Sequence, residues 1–279
     1  MSDIPYAAED PLQSFDYYQP PDYHPAPLLV FVHGGAWRSS VVLSSSSSHH
    51  SPFFHSEDKA DHAALARSLA AATHCPVAVP NYRLTSPATP HQHPVHARDI
   101  LSFLHFLVHK YSPPSAIYLI GHSCSAHMLA SIFLAPSCPP DTLTPSPDLL
   151  RAVKGFVLSE GIYDVDLLLQ SFPSYKQWFI AHTFGDRPSY PEVNVAAYAL
   201  RPGGDHARWL VVHNKNDPLV DLVQSETFFA HLARLHARED AKGVVTSDFT
   251  TLTPNGHNDI FKEDAYVDLV AQFVKAAQA

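Results

Sequence analysis

The stretch AIYLIGHSCSAHMLASIFLA, Ala116 to Ala135, reads as a strand that turns abruptly into a helix. AIYLIG is a continuous β-rich apolar run, as expected of a strand buried on both faces of a parallel sheet. SAHMLASIFLA continues as a buried helix. Ser123 lies at the junction, within G-H-S-C-S, close to the G-x-S-x-G turn that holds a serine in strained geometry with its hydroxyl exposed. Gly121 is the first small residue of that pattern, but Ser125 stands where the last glycine belongs. The extra atoms are expected to strain the turn without blocking it. Alone, GHSCS fits an ordinary helix start with Ser123 as N-cap better than a nucleophile turn. The remainder of the chain decides.

Working outward, PLLVFVH (Pro27–His33) is a buried strand ending in GGAW, DHAALARSLAAAT (Asp61–Thr73) a helix, and PVAVP (Pro76–Pro80) a strand. HPVHARDILSFLHFLVHKY repeats apolar residues at Ile100, Phe103, Leu104 and Leu107, which is helical spacing. VKGFVLS (Val153–Ser159) and RWLVVHN (Arg208–Asn214) are strands, LVQSETFFAHLARLHA a helix, VVTSDFTTLT strand-like, and a last helix runs from about Lys262 to Ala277. CPPDTLTPSPDLL reads as a proline-rich surface loop. Strands alternating with helices predict an α/β fold, with a mainly parallel central sheet covered by helices on both faces. One domain over residues 1–279 is expected, interrupted by a low-complexity serine and histidine insertion at 39–58 and by a small helical cap segment at about 160–207.

Composition narrows the function classes. The formal charge of -9 leaves no broad basic surface for nucleic acid or an anionic membrane, so a small-molecule substrate is the expected partner. A homodimer is compatible with the sequence. The N-terminal stretch has acidic residues and prolines where a signal peptide needs a basic start and an apolar run, so a cytoplasmic location is expected. Cys75, Cys124 and Cys138 show no C-x-x-C spacing and suggest neither a disulfide framework nor a zinc ribbon. Twenty histidines invite a metal reading, but HFLVH (His105–His109) lacks the glutamate of H-E-x-x-H. His91, His93 and His96 read as loop and helix-start residues. No metal or other cofactor is expected.

Serine-based hydrolysis needs a nucleophile, a base, a carboxylate that orients the base, and donors for the developing oxyanion. The chain offers these in the order Ser, Asp, His. Asp217 lies just past a strand in VVHNKNDPLVD, with Glu160 (LSEGIYD) and Asp221 as rival acids. His257, in TPNGHND, follows a strand and a turn signal and precedes the final helix. The oxyanion donors are expected from the backbone N–H groups of Cys124 and of Gly34 and Gly35 in HGGAW.

At these residues the chain resembles the eukaryotic kynurenine formamidases, α/β-hydrolases that cleave N-formyl-L-kynurenine to L-kynurenine and formate in tryptophan breakdown, on the route toward NAD. The likeness runs from about Leu28 to the C-terminus, through HGGAW, NYRLTSP, GHSCSAH, GIYDV, NDPLV and GHNDIF. The first three recur in many HGG-type esterases; SEGIYDVDLLL with GHNDIF points more narrowly to the formamidases. The resemblance implies an α/β-hydrolase fold and a Ser123, Asp217, His257 triad, with Gly34, Gly35 and Cys124 at the oxyanion. Trp37 and Tyr163 are expected to touch substrate, among aromatic residues that include Phe172, Tyr175, Trp178 and Phe184. The chain departs from the family at Ser125 and in the serine tract after Trp37. Two other readings stay open: a general carboxylesterase or acylpeptide-type hydrolase using the same triad, and a non-catalytic binding protein on a hydrolase scaffold. The histidine-rich metal motif of bacterial metal-dependent formamidases is not seen.

Overall fold

A computed structural model describes residues 1–20, 27–38, 57–86, 88–109, 116–136, 141–237 and 243–278. The chain opens with two short strands, β1 (Ile4–Pro5) and β2 (Ser14–Tyr18), followed by β3 (Leu28–Val32). A 3-10 turn at Lys59–His62 leads into α1 (Ala63–Thr73), then β4 (Val77–Pro80), α2 (Val95–His109), β5 (Ile117–His122) and α3 (Cys124–Phe133). Next come β6 (Leu134–Ala135), α4 (Pro147–Ala152), β7 (Val153–Ser159) and α5 (Val165–Ser171). A π-helical turn at Lys176–Ile180, α6 (Ala181–Phe184), two 3-10 turns and β8 (Ala199–Leu200) complete the expected cap. The chain then runs through β9 (Arg208–Val212), α7 (Leu222–Leu235), β10 (Val245–Asp248) and α8 (Asp264–Ala276).

Eight strands form one sheet in the order β1-β2-β4-β3-β5-β7-β9-β10. Within it the pairs from β4 to β10 are parallel, and β1 and β2 add antiparallel at the β4 edge; β6 and β8 pair antiparallel in a separate two-stranded sheet. Alternate side chains of β3 enter two separate cores, because successive residues of a strand point to opposite faces. Leu29 and Phe31 pack with Leu65 and Leu69 of α1 and Tyr266 and Val270 of α8. Val30 and Val32 join Phe103 and Leu104 of α2, Met128 of α3 and Phe228 of α7. Burying each such side chain contributes about 1.5–3 kcal/mol, which explains why these strands read as unbroken apolar runs.

Two expectations are adjusted. No element is foreseen before Leu28, yet β1 and β2 extend the sheet there; five residues of SFDYY are too few for a clear period. The proline-rich loop ends in α4, where Ser146 caps Leu149 N–H at 3.2 Å and Pro147 fills the first turn. The tract expected at 39–58 lies outside the described residues except for Glu57 and Asp58. Those two are anchored: Asp58 and Asp61 form a reciprocal capping box over the 3-10 turn.

Candidate active site

Strand register aligns the carboxyl ends of β3, β5, β7 and β9. Val32 pairs with Gly121, His122 with Ser159, and Ser159 with Val212. The residues just beyond therefore share one rim. Ser123 N–H donates to Ser159 O and Glu160 N–H to Val212 O, both at 2.9 Å, so each is fixed by the neighbouring strand. In open α/β sheets this rim is where ligands bind.

Ser123 stands at φ 57°, ψ -123°, a conformation that side-chain-bearing residues rarely adopt. It precedes the first residue of α3, whose leading N–H groups have no partner within the helix and attract negative charge. A Cβ at Gly121 would lie 2.8 Å from Leu129 Cδ1 and 3.1 Å from Ala126 N, so a larger residue would force the Leu129 side chain and the start of α3 to give way at this close strand–helix crossing. The far end of α3 is capped by the buried Arg201, which donates to Ile132 O (3.1 Å) and Leu134 O (2.9 Å) and pairs with Asp141.

Ser125 corrects the expectation of a crowded elbow. Its hydroxyl accepts from His122 N–H at 2.7 Å and lies 2.6 Å from Val32 O and 2.9 Å from His122 O. It pins β3 to the turn, a role glycine cannot fill.

His257 and Asp217 come together as expected: His257 Nδ1 lies 2.7 Å from Asp217 Oδ2. The opposite oxygen of Asp217 accepts from Leu219 N–H (2.8 Å) and Val220 N–H (3.2 Å), which fixes the carboxylate plane. Asn214 and Asn216 tie the acid's loop to Pro254 and Thr253 of the histidine's loop. Burial pushes the Asp217 pKa up, but the hydrogen bond and charge of His257 outweigh it, and the group sits below its ordinary value. Nδ1–H then points at the acid, leaving Nε2 as the acceptor. Ser123 and His257 are 7% and 8% exposed, largely buried but reachable from solvent. The Ser123 hydroxyl makes no hydrogen bond among the described residues. Asp221, the third acid weighed, is the N-cap residue of α7 and hydrogen-bonds Ser171.

Glu160 is wholly buried at φ 49°, with Oε2 3.1 Å from His122 Nε2 and 3.4 Å from His257 Nδ1. Burial, then the charge of Asp217, pushes its pKa up to about 10. Burial, then the charge of His257, lowers His122 to about 3. Both are neutral near pH 7. Neighbouring carboxyls with opposed shifts separate their roles: Asp217 carries the charge, and Glu160 is a neutral acid behind it. His122, Glu160 and His257 bring ligand-type atoms within 4.8 Å of one another, but these atoms already face each other or Asp217 in the contacts just given.

In the loop expected to supply oxyanion donors, Gly35, Ala36 and Trp37 have φ of 99°, 54° and 58°. Gly34 N–H, expected to be open, donates to Glu57 Oε2 at 2.8 Å. Glu57 also meets His62 Nε2 at 3.1 Å and accepts from Asn258 Nδ2 at 3.0 Å. It clamps the loop of Gly34 to the residue after His257. Sequence reading missed it inside the serine tract, where nothing but the neighbouring cap signal marks ordered chain. Gly35 and Cys124 are left as the expected donors. The Cys124 thiol is buried 3.8 Å from Tyr82 Oη, and burial pushes its pKa up to about 12, so it is no rival nucleophile.

The two residues expected to touch substrate lie in the core. Trp37 is fully buried among His127, Phe179 and Phe184. Tyr163 is also fully buried, stacked on Phe228 with ring centroids 4.0 Å apart. Both are core residues that shape the loops. Phe172, Tyr175 and Trp178 in the cap are only partly buried.

An alpha/beta hydrolase family model matches residues 29–272. The chain is similar to a kynurenine formamidase-like hydrolase, fscH, of Fusarium equiseti: 25% identity, covering 84% of this chain and 78% of that one. It is also similar to the kynurenine formamidases of Scheffersomyces stipitis (24% identity, covering 88% and 89%) and Meyerozyma guilliermondii (29%, covering 71% and 68%). Among solved structures, an inhibited esterase B from Lactobacillus rhamnosis superposes with a TM-score of 0.71 at 14% identity, covering 100% of this chain and 86% of that one. A truncated carbohydrate esterase from gut microbiota gives 0.65 at 16% identity, covering 99% and 95%. No described helix is long and apolar enough to cross a membrane. The mainly parallel sheet, the strained serine between strand and helix, and the family match over nearly the whole chain agree: the protein belongs to the alpha/beta hydrolase family.

Proposed function

We propose that the protein hydrolyses N-formyl-L-kynurenine to L-kynurenine and formate, as a step of tryptophan breakdown, with Ser123, His257 and Asp217 as its triad. The observation that carries this reading is the 2.7 Å contact of His257 with Asp217 on the same rim as a serine at φ 57°. The similarity to kynurenine formamidases supports the choice of substrate.

Ser123 Oγ attacks the formyl carbon as its proton passes to His257 Nε2, and Asp217 stabilises the imidazolium. The tetrahedral oxyanion is held by N–H groups of Gly35 and Cys124, with the positive end of α3 behind them. Collapse breaks the C–N bond, and the departing aniline nitrogen takes the proton from His257. Water, deprotonated by His257, then attacks the formyl-enzyme and releases formate. A hydrogen-sized acyl substituent needs little room, so the cap can be devoted to the leaving group.

The test compares N-formylkynurenine, N-acetylkynurenine and p-nitrophenyl butyrate at matched concentration, with and without a chelator. Fastest turnover of the formyl substrate, insensitive to chelator, is expected. Fast cleavage of the butyrate with little of the formyl compound would instead identify a general esterase. Chelator-sensitive turnover would refute the serine mechanism.

A further inference from the structure

The substrate proposed above carries a carboxylate, and so does the triad. Asp217 and Glu57, both held below their ordinary pKa, put two carboxylates at this rim, which disfavours the carboxylate of the leaving group there unless a cation receives it. Arg38 lies at the right edge. Its backbone is fixed by N–H donation to Gly35 O at 3.0 Å and by a bridge to Thr85, only three residues beyond Gly35 in the oxyanion loop. Its guanidinium reaches across to the cap and donates to Trp178 O in the π-helical turn.

That turn is tied to the loops on both sides of the rim. At one end Tyr175 Oη donates to Leu219 O at 3.1 Å, beside the loop of Asp217. At the other, Phe179 packs on Trp37 and Arg38 holds Trp178. Sheet order β3-β5-β7-β9 puts Ser123 and Glu160 between those ends. A leaving group extending from the formyl carbon therefore runs beneath this turn.

Among the described residues no carboxylate lies within ion-pair distance of Arg38. The segment that follows it, residues 39–56, contains neither Asp nor Glu. Lys176, in the same cap turn, is already paired with Asp186 at 3.3 Å. Arg38 is half-buried, and that desolvation lowers its pKa without an opposing anion. One guanidinium nitrogen is committed to Trp178 O, while the planar fork has further N–H groups matched to the two oxygens of a carboxylate.

We propose that Arg38 is the specificity-determining anchor for the carboxylate of the leaving group, so that the site selects acyl anilides bearing an anionic tail. This rests on the formamidase reading for the identity of the bond cleaved. Its reach is wider, since an anion anchor at the cap edge would act on any acyl substrate threaded the same way.

The experiment measures kcat/KM for N-formyl-L-kynurenine and for 2-formamidoacetophenone, which has the same anilide and ring ketone but no amino-acid group. Tests use the wild type, Arg38→Met and Arg38→Lys, with melting temperatures recorded. Wild type should favour the charged substrate. Arg38→Met should shrink that preference by about 10- to 100-fold, mostly through KM, as expected for losing a charge-assisted contact. Arg38→Lys, which keeps the charge without the fork, should retain an intermediate preference and serves as the test if Arg38→Met does not fold. An unchanged preference, or an equal fall on both substrates as from a mere cap latch, overturns the proposal. If wild type cleaves neither formanilide, the formamidase reading fails separately. The same variants are then compared on 4-acetoxybenzoate and phenyl acetate: a preference for the anion lost in Arg38→Met sustains the anchor, and no preference refutes it.

Discussion

Replacing Glu160 by glutamine separates two accounts of the buried acid pair. Its Oε2 lies 3.4 Å from His257 Nδ1, and burial with the charge of Asp217 raises its pKa to about 10. A neutral acid and an amide have similar size and equal charge, so Glu160→Gln should lower kcat/KM by about tenfold at most, the worth of one hydrogen bond. The acid limb of the pH–rate profile should stay in place. Were Glu160 ionised, deleting its charge at 3.4 Å would remove about 5 kcal/mol of attraction to the imidazolium at an effective dielectric of ~20, more than three pKa units. That limb would then move to lower pH. Stability gives an independent reading. Because the folded-state pKa is raised, the native protein keeps a proton that the unfolded chain releases above its model value of 4.5. The stability this group contributes is complete below that value and is lost as pH rises toward 10, by about 1.4 kcal/mol per unit. Glutamine does not titrate. The unfolding free energy of Glu160→Gln minus that of wild type should grow by about 3 kcal/mol between pH 6 and 8 in urea titrations followed by circular dichroism. A constant difference, with the acid limb displaced by more than about one unit, would refute the assignment and make Glu160 a second charged acid.

Ser123→Ala and His257→Ala should each lower kcat by about 10⁴-fold or more, and the double variant by little more than either, because a triad acts as a unit; single-turnover assays on folded protein check this. Asp217→Asn should cost a comparable factor by releasing the imidazole into the wrong tautomer, whereas Asp221→Asn should cost less than tenfold, as steady-state kinetics will show. Ser125→Gly should destabilise by about 2–4 kcal/mol in urea melts, since it strips partners from His122 N–H and Val32 O and puts glycine in a helix. Burial lowers His96 and His122 to about 3 and His127 to about 4; with folded values depressed, their stabilisation is present above pH 6.5 and lost as pH falls toward 4, so far-UV circular dichroism should record cooperative acid unfolding in that window.

Most of the sheet was legible because parallel strands buried on both faces must be apolar throughout, and β3, β5, β7 and β9 are short runs of that kind closed by turn residues. β2 escaped because SFDYY mixes core and rim side chains over five residues. α4 escaped because its Ser-Pro-Asp start is the same chemistry as a turn, and only the packing of Leu149 into the core separates the two.

The placement of the candidate site residues was legible where the expected role demands a residue type beside a recognisable element, as for Ser123 before α3 or Asp217 after β9. It was illegible where the role depends on what a backbone group meets in space. HGGAW marks a loop rich in open N–H groups, but nothing in it says that Gly34 will be met by a carboxylate 23 residues away, across a tract without periodicity. The placement of Trp37 and Tyr163 in the core was illegible for the converse reason. An aromatic side chain beside a glycine loop or in a cap suits substrate stacking and core anchoring equally, and the strained φ of Trp37 favours the anchor: a side chain held in the core keeps Ala36 and Trp37 in place against a backbone cost of about 1–3 kcal/mol per strained residue. Ser125 shows the same limit at one atom's scale. As a departure from glycine it reads as crowding, yet its hydroxyl satisfies the backbone polar groups that the sharp turn leaves unpaired, so the elbow keeps its strained serine by a hydrogen bond where a glycine would rely on space alone.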